Sequence, residues 1–99
     1  MMKEITTVDL QQMIEAGKPV TIIDVREVSE VANGKIKGSV NMPLGLVEFR
    51  MNELDKKQPY YIICHAGGRS AQATAYLDDQ GYDVTNVAGG MSNWQGDIE

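Results

Sequence analysis

Cys64 is the only cysteine in the chain, and it joins an apolar segment to a glycine-rich one. Residues 60–63 are apolar or aromatic, residues 65–70 read His-Ala-Gly-Gly-Arg-Ser, and residues 71–80 have a helical pattern. We therefore expect a buried strand to deliver the thiol into a turn at the N-terminus of a helix. Backbone N–H groups in such a turn stabilise negative charge. This arrangement predicts a thiolate nucleophile at neutral pH.

The turn itself has the residue types that an anion-binding loop needs. Gly67 and Gly68 can adopt positive φ and place no side chain in the bowl, and Arg69 offers a planar cationic fork for an oxyanion. Ser70 is the predicted N-cap of the following helix. His65 adjoins the thiol and is the weaker candidate for proton transfer. The predicted substrate-binding residues are His65, Ala66, Gly67, Gly68, Arg69 and Ser70, with Cys64 as the catalytic residue.

Each of these residues also has a purely structural interpretation. A lone cysteine at the end of an apolar strand often only packs in the core, but a packing cysteine needs no inward-facing amides after it. Arg69 alone would be an ordinary surface arginine. Asp24 and Arg26 are candidate supporting residues of the site; alternatively, Asp24 caps a short helix and Arg26 pairs with Glu30 one turn later.

Short β-branched segments alternate with helical ones along the whole chain. Thr6 or Thr7 is the predicted cap of the first helix, which ends before Gly17. The other predicted helices cover residues 27–33, 46–54 and 71–80, and the predicted strands cover residues 3–5, 20–25, 40–42, 60–63 and 84–87. This alternation predicts an α/β fold with a parallel sheet. Ligands of such sheets bind beyond the carboxyl ends of the strands, where we expect Asp24, Cys64, Gly89 and Gly90.

Length and composition narrow the possible functions. The 99 residues predict one domain spanning 1–99. A net charge of −5 argues against a nucleic-acid partner. No apolar stretch is long enough for a membrane span, and the first residues do not resemble a secretion signal, so we expect a cytoplasmic protein. One cysteine and one histidine predict no disulfide, no metal site and no cofactor.

Four segments in order resemble a single-domain rhodanese. They are Asp-Val-Arg-Glu at 24–27, the segment 34–43 that runs from Gly to Pro, the loop 64–70, and Gly89-Gly90 with Trp94. The similarity extends from about Lys3 to Asp97. It implies a three-layer α/β/α fold around a five-stranded parallel sheet, and a sulfurtransferase that carries sulfane sulfur as a persulfide on Cys64. Lys35 stands where the family usually has histidine, in a turn away from the loop cysteine.

The resemblance predicts transfer of sulfur from thiosulfate or a related persulfide donor to a thiol or cyanide. The implied partners are a small-molecule sulfur donor and a thiol acceptor. We expect the protein to be a monomer. A sulfur-relay or regulatory module that serves a partner protein is the alternative. A cysteine-dependent phosphatase or arsenate reductase is disfavoured, because related phosphatases have five residues between cysteine and arginine whereas four separate Cys64 from Arg69.

Overall fold

The computed structural model describes residues 2–99, in which strands and helices alternate. The strands are β1 (Lys3–Thr6), β2 (Ile22–Asp24), β3 (Val40–Asn41), β4 (Pro59–Ile63) and β5 (Asp83–Ala88). The helices are α1 (Thr7–Glu15), α2 (Val28–Val31), α3 (Val47–Arg50) and α4 (Gly68–Asp79). Single 3₁₀ turns cover Leu44–Leu46, Met51–Glu53 and Gly90–Asn93.

The five strands form one sheet in the order β1-β5-β4-β2-β3, and each neighbouring pair is parallel. β4, which leads to Cys64, is therefore the central strand and is paired on both sides. The sheet confirms the predicted five-stranded α/β architecture. It also places the carboxyl ends of β2, β4 and β5 next to one another, as the alternating pattern predicted.

Both faces of the sheet are covered, because neighbouring residues of a strand point to opposite sides. On one side Ile62 packs with Leu77 of α4 and Val47 of α3. On the other side Ile63 packs with Leu10 of α1. The strands are apolar on both faces for this reason, and the three layers predicted from the family resemblance are present.

Three helices, α2, α3 and α4, depart from the predicted bounds. Thr6 caps α1 as expected, since its Oγ accepts from the Asp9 N–H at 3.1 Å. The predicted helix over 46–54 is wrong: it is a 3₁₀ turn, the short α3 and a second 3₁₀ turn. Arg50 interrupts it at φ −104° and ψ −1°, where its side chain pairs with Glu53. No helix in the described residues is both long and apolar enough to cross a membrane.

Candidate active site

Cys64 follows the last residue of β4, and its side chain is buried. The helix after it begins earlier than predicted: α4 starts at Gly68, and Gly67 is its N-cap with φ +107°. The prediction that Ser70 caps this helix is wrong. Because glycine tolerates this positive φ, the chain turns into the helix within three residues of the thiol. Ser70 is left in the first helical turn, with its side chain directed at the sulfur.

Several donors converge on the Cys64 sulfur. The Gly67 N–H donates to Sγ at 3.0 Å, and Ser70 Oγ lies 3.3 Å from Sγ. In the thiol form the S–H donates to Ser70 Oγ, while the serine hydroxyl donates to the Gly67 carbonyl at 3.2 Å. Because a hydroxyl can rotate, it can turn its proton to the sulfur once the thiol ionises.

The balance of these contacts favours the thiolate. Burial raises the pKa of the Cys64 thiol, but the Ser70 hydroxyl and the backbone N–H groups of Ser70, Gly67 and Ala66 lower it by more. The pKa therefore lies below that of an ordinary cysteine. The direction of this shift agrees with the prediction from the residue types of the loop, and Ser70 contributes through its side chain rather than as a cap.

Two backbone hydrogen bonds connect the loop after β5 to the loop that carries Cys64. The Met91 N–H donates to the Cys64 carbonyl and the Ser92 N–H donates to the His65 carbonyl, both at 2.8 Å. Gly90, at φ +58°, packs against the same two carbonyl groups. The predicted convergence of Cys64 with Gly89 and Gly90 is confirmed, and these contacts fix the direction in which the loop amides point.

Arg69 is engaged by a residue that sequence reasoning did not connect to it. Its Nη1 and Nη2 donate to Oε1 and Oε2 of Glu30 at 2.6 and 2.8 Å. The Arg69 hydrogen bond, with help from the Glu27 N–H, lowers the pKa of Glu30 to about 2. Glu30 in turn raises the pKa of Arg69, and the nearby Cys64 charge adds to this rise. The guanidinium is thus sensitive to charge on Cys64 but is already paired with Glu30.

Asp24 and Arg26 form a buried ion pair beside this site. The Asp24 carboxylate accepts from the Arg26 backbone N–H at 3.0 Å and from its Nη2 at 2.8 Å. Arg26 Nη2 also donates to the Gly34 carbonyl at 2.8 Å. The alternative in which Arg26 pairs with the Glu30 carboxylate is wrong, because Asp24 is the nearer carboxylate. The alternative in which Asp24 caps the helix is wrong too, since Glu27 is the N-cap of α2.

The remaining predicted residues lie around the rim of the loop. His65 and Ala66 are exposed, and among the described residues the His65 side chain makes no hydrogen bond to Cys64. Lys35 pairs with Glu99 at 3.4 Å, in a turn that carries none of the loop residues.

Within residues 2–99, no group of three or more histidine, cysteine or acidic side chains could hold a metal ion.

Comparison with known proteins agrees with this geometry. The family model for the rhodanese-like domain matches residues 6–97. A Bacillus subtilis protein provisionally named sulfurtransferase YtwF is 44% identical over 97 residues, which cover 98% of this chain and 94% of that protein. The thiosulfate sulfurtransferase GlpE of Shewanella oneidensis is 34% identical over 93 residues, 93% of this chain and 91% of GlpE.

The fold has a close counterpart among solved structures. A rhodanese-like domain protein from Staphylococcus aureus superposes with a TM-score of 0.93 at 39% identity, over 99% of this chain and 97% of that one. The two chains therefore share the same overall fold. The match of the family model over nearly the whole length, together with these relatives, shows that this chain belongs to the rhodanese-like family, whose named relatives include sulfurtransferases.

Proposed function

We propose that this protein is a sulfurtransferase that carries a sulfane sulfur atom as a persulfide on Cys64. The observation that supports this most directly is the ring of donors around Sγ. The N–H of Gly67, the Ser70 hydroxyl and the neighbouring amides all stabilise negative charge on the sulfur. A persulfide is also anionic and extends from the same sulfur, so the bowl that favours the thiolate also suits the loaded form.

Loading begins with attack by the Cys64 thiolate on the outer sulfur of thiosulfate. A sulfur–sulfur bond forms to Sγ, the bond between the two donor sulfurs breaks, and its electron pair leaves with sulfite. The thiolate and thiosulfate together carry a charge of −3, and the products, a persulfide anion and sulfite, carry the same total charge. The loop amides hold the charge on the terminal sulfur, and Arg69, paired with Glu30, is the cation of this loop.

Discharge uses an external thiolate or cyanide as the nucleophile. It attacks the terminal sulfur of the persulfide, takes that atom, and returns Cys64 as the thiolate. Because the chain has no second cysteine, no internal thiol can accept the sulfur. Asp24 and Arg26 support this chemistry at a distance by fixing the segment that leads to α2.

Thiosulfate is the proposed donor because GlpE, a relative named for that substrate, aligns over nearly the whole chain. A second candidate role is sulfur relay, in which a persulfide of a partner protein loads Cys64. The pairing of Arg69 with Glu30 favours this role, because it leaves less free positive charge for a small dianion. A free, unpaired Cys64 suits the reducing cytoplasm, where we place either reaction.

The proposal is tested by mass spectrometry of the intact protein after incubation with thiosulfate or glutathione persulfide. We expect a gain of one sulfur atom that maps to Cys64 and disappears after addition of cyanide. Cys64→Ser, which keeps the size and polarity of the side chain, must show no gain. An unmodified Cys64 with both donors would contradict the proposed function.

A further inference from the structure

Among residues 2–99, Glu30 is the acidic side chain that forms hydrogen bonds with the loop arginine. Helix α2 contributes it from a segment 39 residues before Arg69, and both carboxylate oxygens are used, at 2.6 and 2.8 Å. The pair is only partly exposed, with 34% of the Arg69 side chain and 33% of the Glu30 side chain accessible. Two of the five N–H donors of the guanidinium, one on each terminal nitrogen, are thus used by Glu30 and are not available to an oxyanion.

The carboxylate is also held in place from its own helix. The Glu27 backbone N–H donates to Glu30 Oε1 at 3.0 Å. The buried Asp24–Arg26 pair fixes the segment before α2, since Arg26 Nη2 also donates to the Gly34 carbonyl beyond α2. Hydrogen bonds from Arg69 and from the Glu27 backbone therefore hold the negative charge of Glu30 in a fixed position beside the guanidinium.

We propose that Glu30 is a specificity-determining residue, which lowers the preference of the Cys64 site for anionic reagents by occupying and neutralising Arg69. A dianion such as thiosulfate must displace Glu30 from the guanidinium, or else approach a site with no net positive charge at its edge. A neutral or zwitterionic donor meets neither cost. This inference deepens the proposed function and rests on it for its biological meaning.

The inference can be tested without any sulfur transfer, because Cys64 is the only thiol in the chain. Iodoacetate and iodoacetamide alkylate the same thiolate but differ in charge. The ratio of their second-order rate constants reports the electrostatics at the thiol, and the thiolate fraction cancels in that ratio. Loading by thiosulfate, a dianion, and by cysteamine persulfide, a zwitterion, followed by mass spectrometry, is measured on the same samples.

Glu30→Gln removes the charge and keeps an oxygen that can accept from the Glu27 N–H. We expect the iodoacetate-to-iodoacetamide ratio to rise about fivefold, with a similar gain in loading by thiosulfate relative to the persulfide. The matched control is Asp79→Asn at the other end of α4. It removes the same charge, but it lies ten residues and about 15 Å from Arg69, which is farther than the Debye length at physiological ionic strength. Its ratio should equal that of the wild type.

A ratio in Glu30→Gln that stays at the wild-type value, or equals that of Asp79→Asn, would overturn the inference. A fall in the ratio would overturn it as well, because it would mean that Glu30 positions Arg69 for anion binding. Failure of the proposed function has a different signature: neither sulfur donor would load wild-type Cys64, while the alkylation ratio would still decide the role of Glu30.

Discussion

Gly90 packs so closely against Cys64 that a Cβ atom at Gly90 would lie 2.4 Å from the Cys64 carbonyl oxygen. The same atom would lie 2.6 Å from the His65 carbonyl oxygen. Real Cβ atoms do not approach backbone oxygens this closely, and φ at Gly90 is +58°. The loop that presents the thiol therefore depends on a glycine that follows a different strand.

Gly90→Ala is expected to destabilise the protein by about 3 kcal/mol, because the clash is with backbone and the φ value strains any other residue. Urea denaturation followed by circular dichroism measures the change. Gly45→Ala is the matched control, since its Cβ would meet no atom within 4 Å and its φ is not positive. Equal unfolding midpoints for the two variants would contradict the close approach.

Ser70→Ala should slow the reaction of Cys64 with iodoacetamide at neutral pH by roughly fivefold, the equivalent of one hydrogen bond of about 1 kcal/mol. Loss of the hydroxyl removes the strongest of the contacts that lower the pKa of the Cys64 thiol, so that pKa should rise. The pH dependence of alkylation gives the midpoint directly. Ser92→Ala, whose hydroxyl binds the Gly89 carbonyl, should leave the midpoint unchanged. An unshifted midpoint in Ser70→Ala would show that the hydroxyl does not stabilise the thiolate.

The Arg69–Glu30 pair should make a small acid-sensitive contribution to stability. The pKa of Glu30 falls from 4.5 to about 2 on folding, so the pair stabilises the protein above pH 4.5. The contribution is then lost progressively as the pH falls toward 2. Because the pair is about one-third exposed, solvent screening limits it to about 1 kcal/mol. Urea midpoints of wild type and Glu30→Gln should differ at pH 7 and converge near pH 2; a constant difference would refute the linkage.

Arg69→Ala should reduce the loading of Cys64 by thiosulfate about tenfold. The variant loses the guanidinium and also leaves the Glu30 carboxylate uncompensated beside the site. Adding Glu30→Gln to this variant should restore part of the loss, because it removes the repulsion. Rates of persulfide formation in the two single variants and the double variant give the coupling. A double variant that loads no faster than Arg69→Ala would contradict the repulsion by Glu30.

Asp24→Ala should destabilise the protein by about 3 kcal/mol, because it leaves the buried Arg26 guanidinium without its carboxylate. Thermal unfolding measures the loss. Glu53→Ala breaks the more exposed Arg50–Glu53 pair and should change the unfolding temperature much less. Similar losses in the two variants would argue against a supporting role for Asp24.

The strands and the thiol loop were predictable because their signals are local. The β-branched and aromatic residues before Cys64 predict a buried strand, and the two glycines after it predict a turn of inward-facing amides. The capping of α4 was not predictable in this way. Ser70 has the residue type of an N-cap, but Gly67 begins the helix three residues earlier, where its backbone lies close to Gly89 of a distant segment.

The partner of Arg69 could not be read from the chain either. Glu30 lies 39 residues away on a helix of four residues, and its approach depends on how α2 packs beside the sheet. The local pattern offered Arg26 as the partner of Glu30, four residues apart. Burial of Asp24 reversed that choice, because a buried carboxylate requires the nearest cation more than an exposed one does.

Because β4 is the central strand, we expect its amide hydrogens to be the last in the domain to exchange with solvent. Its amides are bonded between β5 and β2, and it has no free edge. Amide hydrogens of Ile62 and Ile63 should therefore exchange with solvent only when the whole domain unfolds, whereas those of the edge strand β3 exchange through local opening. Cys64 thus directly follows the segment for which we expect the slowest exchange in the fold.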